Sequence, residues 1–147
     1  MPPAPLNGNR DVDVADELLD FLASGLSMAP GSNIFLGTLP EPGINGEVPL
    51  SGLYIQELPG PAPDMYIDTE THLFDIWTSN TDSQAGKVLL RRVYDILERK
   101  GNYALTNWYI YFSYANSTIR DEGRGREGNK LFSLSVTLIC RNLNNIS

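Results

Sequence analysis

The chain has 147 residues, 41% hydrophobic and 20% charged, with one cysteine and one histidine. That is one domain's length, enough to fold without a metal or disulfide; the single Cys140 excludes an intrachain bridge and a multi-cysteine metal site. The net charge of −7 argues against wrapping nucleic acid, and no apolar run approaches the roughly 20 residues of a membrane helix.

The charge is unevenly divided. Residues 1–86 hold thirteen acids and one base, a net of −12; residues 87–147 hold ten bases and five acids, a net of +5. Either the two halves intermix in space, or they form patches complementary to those of another copy. The first five residues, Met-Pro-Pro-Ala-Pro, lack the basic and hydrophobic stretches of a secretory signal. The expectation is a soluble protein in a reducing compartment.

Residues 1–10 are rich in Pro and Asn and read as a flexible arm. Asp11 or Asp13 can cap a helix through about Ser24. Val14, Ala15, Leu18, Leu19 and Leu22 fall at helical spacing, Gly25 reads as the stop, and Asp16 and Glu17 suit the N-terminal dipole. Asn33–Leu39 reads as a strand, "PEPGINGEVP" as a loop, and "LSGLYIQEL" as a strand ended by "PGPAPD".

Residues 66–77, "YIDTETHLFDIW", hold Asp68, Glu70, His72 and Asp75. In a strand, His72, Phe74 and Ile76 point one way and Leu73, Asp75 and Trp77 the other. Asp68 and Glu70 share the side of His72, about 7 Å apart at each step of two. A histidine with two carboxylates is a metal or acid/base candidate. Linear alternation, however, spreads ligands along a strand rather than converging them. A nuclease pattern starting at Pro63-Asp64 needs a lysine where "ETH" has His72. The reading adopted is a solvated strand end with a lone histidine, with no catalytic residue, metal or cofactor; a metal-dependent enzyme using Asp68, Glu70 and His72 is the alternative.

"TSNTDSQAGKVLLRRVYDILERKG" reads as a helix. Thr81 and Gln84 form a capping box; Ala85, Val88, Leu89, Val93, Ile96 and Leu97 form the apolar stripe; Arg99 and Lys100 suit the C-terminal dipole and Gly101 ends it. Arg91-Arg92 reads as a solvated face rather than a phosphate-binding pair. "NWYIYFSYA" and "LFSLSVTLIC" read as strands, with Phe132, Leu134, Val136, Leu138 and Cys140 facing a core. Between them Asn116–Lys130 carries three glycines, four bases and three acids, too polar to bury and too long for a tight turn. "GRGREG" resembles a phosphate loop but lacks the strand–loop–helix setting and the Lys-Ser/Thr ending. The expected fold is α+β: a mainly antiparallel or mixed sheet of about five strands with two helices on one face.

The ordered set of segments resembles the tail terminator proteins of long-tailed bacteriophages, often labelled minor capsid proteins. The likeness is carried by "DVADELLDFLASGL", "NIFLGTLPE", "GLYIQELPGPAPD", "THLFDIWTSNTDSQAGKVLLRRVYDIL" and "LFSLSVTLICRN", from residue 11 to 141. Trp108–Tyr114 and the long basic loop have no counterpart in it. The resemblance implies a single domain over 11–141 with a short tail at 142–147. It also implies a non-enzymatic virion protein, made in the host cytoplasm, that forms a six-membered ring on the tail tube. Its partners would be further copies, the tail tube protein and a head–tail connector or stopper, with DNA passing through without specific binding and no membrane. The candidate interface residues are Arg120, Arg124, Arg126 and Lys130 against Asp64, Asp68 and Glu70. Another head–tail joint or a tail tube subunit remains an alternative.

Overall fold

The computed structural model describes residues 13–37, 51–60, 69–124 and 128–143. The expected arm at 1–10 and most of the tail at 142–147 lie outside them. Helix α1 spans Val14–Leu26, with Val14, Leu18, Leu22 and Leu26 buried as their spacing dictates. Asp13 is the N-cap, in extended conformation and with no side-chain capping bond. Gly25 does not stop the helix. It lies inside the last turn, where a Cβ would come within 3.2 Å of Ile96 Cδ1. The stop is Ser27, left-handed at φ 56°, after which the Met28 amide donates to the Ala23 carbonyl at 2.8 Å. Glu17 does not serve the dipole in solvent either. It is buried and its carboxylate accepts from the Asn107 backbone amide (2.7 and 2.9 Å) and side-chain amide (2.7 Å), tying α1 to the turn that carries Asn107.

Among the described residues seven strands follow instead of about five: β1 Ile34–Leu36, β2 Gly52–Leu58, β3 Glu70–Asn80, β4 Lys100–Ala104, β5 Trp108–Ala115, β6 Arg120–Arg124 and β7 Lys130–Asn142, with α2 at Ala85–Leu97 between β3 and β4. The sheet order is β1-β2-β3-β7-β5-β4, and β6 pairs β7 beside β5. β1 is parallel to β2 and every other pairing is antiparallel. Strand β7 runs through Asn142, and the Leu143 amide donates to the Asn107 carbonyl at 2.8 Å. The fold therefore passes the boundary expected at 141.

Helix α2 starts without the expected capping box. Asn80 Oδ1 accepts from the Asp82 amide and Asp82 Oδ1 from the Gln84 amide, both at 2.9 Å; these local turns take the place of the Thr81–Gln84 exchange. It ends at Leu97, before Arg99 and Lys100. Glu98 is extended, Arg99 has φ 51°, and the chain enters β4 directly, with Gly101 inside that strand. The orphaned Leu97 carbonyl accepts from Ser113 Oγ at 2.8 Å, and that hydroxyl accepts in turn from Tyr103 OH at 2.8 Å. Ser113 reaches inward because of a bulge in β5. Ile110 pairs Cys140 but Phe112 pairs Ile139, so Tyr111 is the extra residue and the inward parity switches from Ile110 to Ser113.

Both helices cover one face. Ile34, Leu53, Ile55, Phe74, Ile76, Ile110, Leu134, Val136 and Leu138 meet the buried stripes of α1 and α2 in one core. On β7 the expected inward set, Phe132 to Cys140, is buried throughout. No described helix is long and apolar enough to cross a membrane.

Gly86 is where α2 rests on the sheet. A Cβ there would meet Thr78 Oγ1 at 2.7 Å and Phe132 Cδ2 at 3.4 Å. Intrinsic helix preference favours Ala over Gly by about 1 kcal/mol, whereas forcing a methyl into a filled site costs about 1–3 kcal/mol. Gly86→Ala is expected to lower stability in urea unfolding, and Thr78→Ala in the same chain to recover part of the loss. A stabilised single variant would show that the contact yields freely.

Candidate functional site

The histidine cluster is built from neighbouring strands. Antiparallel pairing of β2 with β3 places Glu57 opposite Phe74, on the face of His72. His72 Nδ1 lies 2.7 Å from Glu57 Oε2 and Nε2 lies 3.1 Å from Glu70 Oε1. The ring meets Trp108 edge-on at 5.6 Å and is only 19% exposed. The expectation of a solvated strand end is thus corrected: the imidazole is held by Glu57, Glu70 and Trp108 at the rim of the core.

Asp13, Val14, Trp108 and Asn142 join these three residues around a cavity of about 330 Å³. Asp68 lies outside the described residues. Among those described, no group of three His, Cys, Asp or Glu side chains converges as metal ligands would. Glu57 went unrecognised because its distance from His72 depends on strand register. Cys140 lies nearby in the core, its thiol pushed up to about 12 by burial and then by Glu70 and Glu57. It remains a thiol at neutral pH, which does not suit a nucleophile.

The basic segment contains a strand. Arg120–Arg124 is strand β6, paired with the start of β7. Arg120 Nε donates to Ser133 Oγ at 3.0 Å and Glu122 Oε1 at 3.3 Å, and its Nη2 to Ser135 Oγ at 3.1 Å. Asp75 lies 3.5 Å away and itself accepts from Ser135 Oγ at 2.6 Å. Arg124 donates to the Gly128 carbonyl at 2.9 Å. Lys130 bonds to Asp121, and holds that carboxyl below its usual range together with the Gly123 amide. Three of the four bases expected at an assembly interface, Arg120, Arg124 and Lys130, therefore have partners within their own chain. Arg126, Asp64 and Asp68 lie outside the described residues, and Glu70 belongs to the histidine cluster.

Charge without such partners lies on the helices. On α1, Asp13, Asp16 and Asp20 form an exposed stripe; on α2, Lys87, Arg91 and Arg92 are exposed beside Val88, which is 59% exposed. Arg91 also lies over the Tyr94 ring at 5.6 Å. On the opposite sheet face, Tyr111 and Phe112 are exposed next to the β5 bulge.

No protein-family model matches this chain, and no curated protein does. A solved structure does. A chain of the virion of the native gene transfer agent (GTA) particle has the same fold, with a TM-score of 0.51 and 16% identity, covering 93% of this chain and 92% of that one.

Two consequences of the site geometry are measurable. Cys140 is expected to resist maleimide at pH 8 in the native protein and to react fully in denaturant; rapid native labelling would contradict its burial. The folded thiol keeps its proton to about 12, against an ordinary thiol value of 9.0. Its contribution to stability is therefore intact below about pH 9 and falls as pH rises toward 12. Separately, Arg120→Ala is expected to cost about 1 kcal/mol, since the pairs are half-exposed yet shared among several acceptors. An unchanged melting temperature would mean that the network adds nothing.

Proposed function

We propose that this chain is a structural subunit of a phage-like particle, and that it acts as a tail terminator: a ring seated on the end of the tail tube, facing the head–tail connector. The observation that carries the reading is the fold shared, over nearly the full length of both chains, with a component of the gene transfer agent virion. The sequence resemblance to tail terminators points the same way and supplies the finer role. A ring subunit needs a rigid body and surfaces for its neighbours. The single core under both helices provides the first, and the charged helix faces and aromatic sheet face provide the second. No chemistry is required of the His72 cluster in this role; it fastens β2, β3 and β5 at the rim of the core. DNA would pass without specific contacts, and the protein would act in the virion after synthesis in the host cytoplasm.

The test is electron microscopy of the purified protein mixed with purified tail tubes. Added density at one end of each tube, with lengths unchanged, is the expected result. Spontaneous polymerisation into tubes would instead make it a tube subunit, and bare tube ends would remove the tail role.

A further inference from the structure

The two helices carry exposed charges of opposite sign. On α2, Lys87, Val88, Arg91 and Arg92 are exposed, and their spacings of three and four place them on one patch. Asp95 is an exposed acid on the same helix, and Lys87 lies close enough to the exposed Asp121 to help hold its carboxyl below the usual range. On α1, Asp16 and Asp20 are exposed one turn apart. Beside them, α1 and the turn from β4 to β5 enclose a groove of about 420 Å³ lined by Glu17, Asp20, Phe21, Ala104, Leu105 and Thr106. The Glu17 carboxylate is occupied by Asn107, and Lys100 lies over the Phe21 ring at 5.1 Å. Phe21, stacked on Tyr103 at 5.4 Å, and Leu105 thus give the groove its apolar part, Asp20 lines it, and Asp16 lies one turn before Asp20 on the same helix. Among the described residues no ion pair within 4.0 Å involves Asp16, Asp20, Lys87, Arg91 or Arg92.

We propose that α2 of one copy docks on the α1 groove of the next, with Val88 over Phe21 and Leu105, and Arg91 and Arg92 against Asp16 and Asp20. The occupant is a second copy because knob and groove match in both respects: an exposed apolar residue flanked by cations meets an apolar floor flanked by acids. The two patches differ, so the contact is head-to-tail and leaves a free patch of each kind on every dimer. Such contacts repeat until they close into a ring or grow as a filament. The inference deepens the ring reading by naming its subunit contact and rests on that reading only for closure.

The experiment is a charge swap followed by analytical ultracentrifugation. Wild type is expected to associate at low salt and to dissociate as salt rises, since exposed charges are screened beyond about 10 Å at 0.1 M. Arg91→Glu with Arg92→Glu makes both patches acidic; Asp16→Lys with Asp20→Lys makes both basic. Each variant alone is expected to weaken association by roughly tenfold or more, because like charges then face each other. Mixed in equal amounts, the two present opposite charges at every contact, and association returns. Circular dichroism melting checks that each variant is folded; if either is not, the salt response of wild type decides alone.

A wild type that stays monomeric at low salt, or associates independently of salt, overturns the contact. So does a mixture of folded variants that stays dissociated. Binding of DNA or a different protein by a monomeric wild type assigns the basic patch to that partner and overturns it too. Tube capping is read separately. Self-association beside bare tube ends removes the tail role alone, and capped tubes with no effect of the charge swap remove this contact alone.

Discussion

The structure depends on the pairing of β3 with β7. Eleven consecutive residue pairs, from Glu70–Cys140 to Asn80–Lys130, join them without a break in register. Side chains alternate across such a ladder, so that one register sends Phe74, Ile76, Leu134, Val136 and Leu138 together to the helix side. A slip of one residue would expose all of them and bury Asp75 and Trp77. Full core burial of a large apolar side chain contributes about 1.5–3 kcal/mol, so the register is held by several such residues at once. The helices, β2 and β5 are then placed by what this ladder presents to them.

The same ladder determines which polar groups are occupied. It brings Asp75 opposite Ser135, where β6 adds Arg120 on the outer face. On the inner face, at the end of the core, it sets His72 between Glu70 and the Glu57 of β2. Charges on strands therefore fasten neighbouring strands. Asp16, Asp20, Arg91 and Arg92, on the outer sides of the helices, make no such pair among the described residues. The division follows from layering: a helix packed on one side of a sheet always has a far side in solvent.

Much of this was legible in the sequence. The apolar stripe of α1 and the alternation of β7 appear as written, because period 3.6 and period 2 survive in the order of residues. The stripe of α2 is only partly as expected: Val93 and Leu97 are buried together with Leu90 and Gly86, whereas Val88 is 59% exposed. β4 and β6 were not legible. "KGNYA" and "RDEGR" lack apolar alternation and become strands only because β5 and β7 offer unpaired edges. The tyrosine-rich β5 hid its bulge, since nothing in Trp108–Ala115 marks Tyr111 as the extra residue. The ends of helices were misread for a related reason. Gly25 is a packing contact with Ile96, and Glu17 is a buried acceptor for Asn107, ninety residues away; neither partner is local.

By itself, then, the sequence determined the α+β class, the two amphipathic helices, the core-facing sides of β3 and β7, and the uneven division of charge. Each is written in spacing or composition. The tertiary structure alone decided which charges are spent and which are free. Arg120 and Lys130 are as basic in the sequence as Arg91 and Arg92, but the first two meet Asp75, Glu122 and Asp121 through strand pairing, whereas the second two lie on the solvent side of a helix. The physical reason is that an ion pair or hydrogen bond acts only within about 3–4 Å, and residues far apart in the chain reach that distance only when register and packing bring them there.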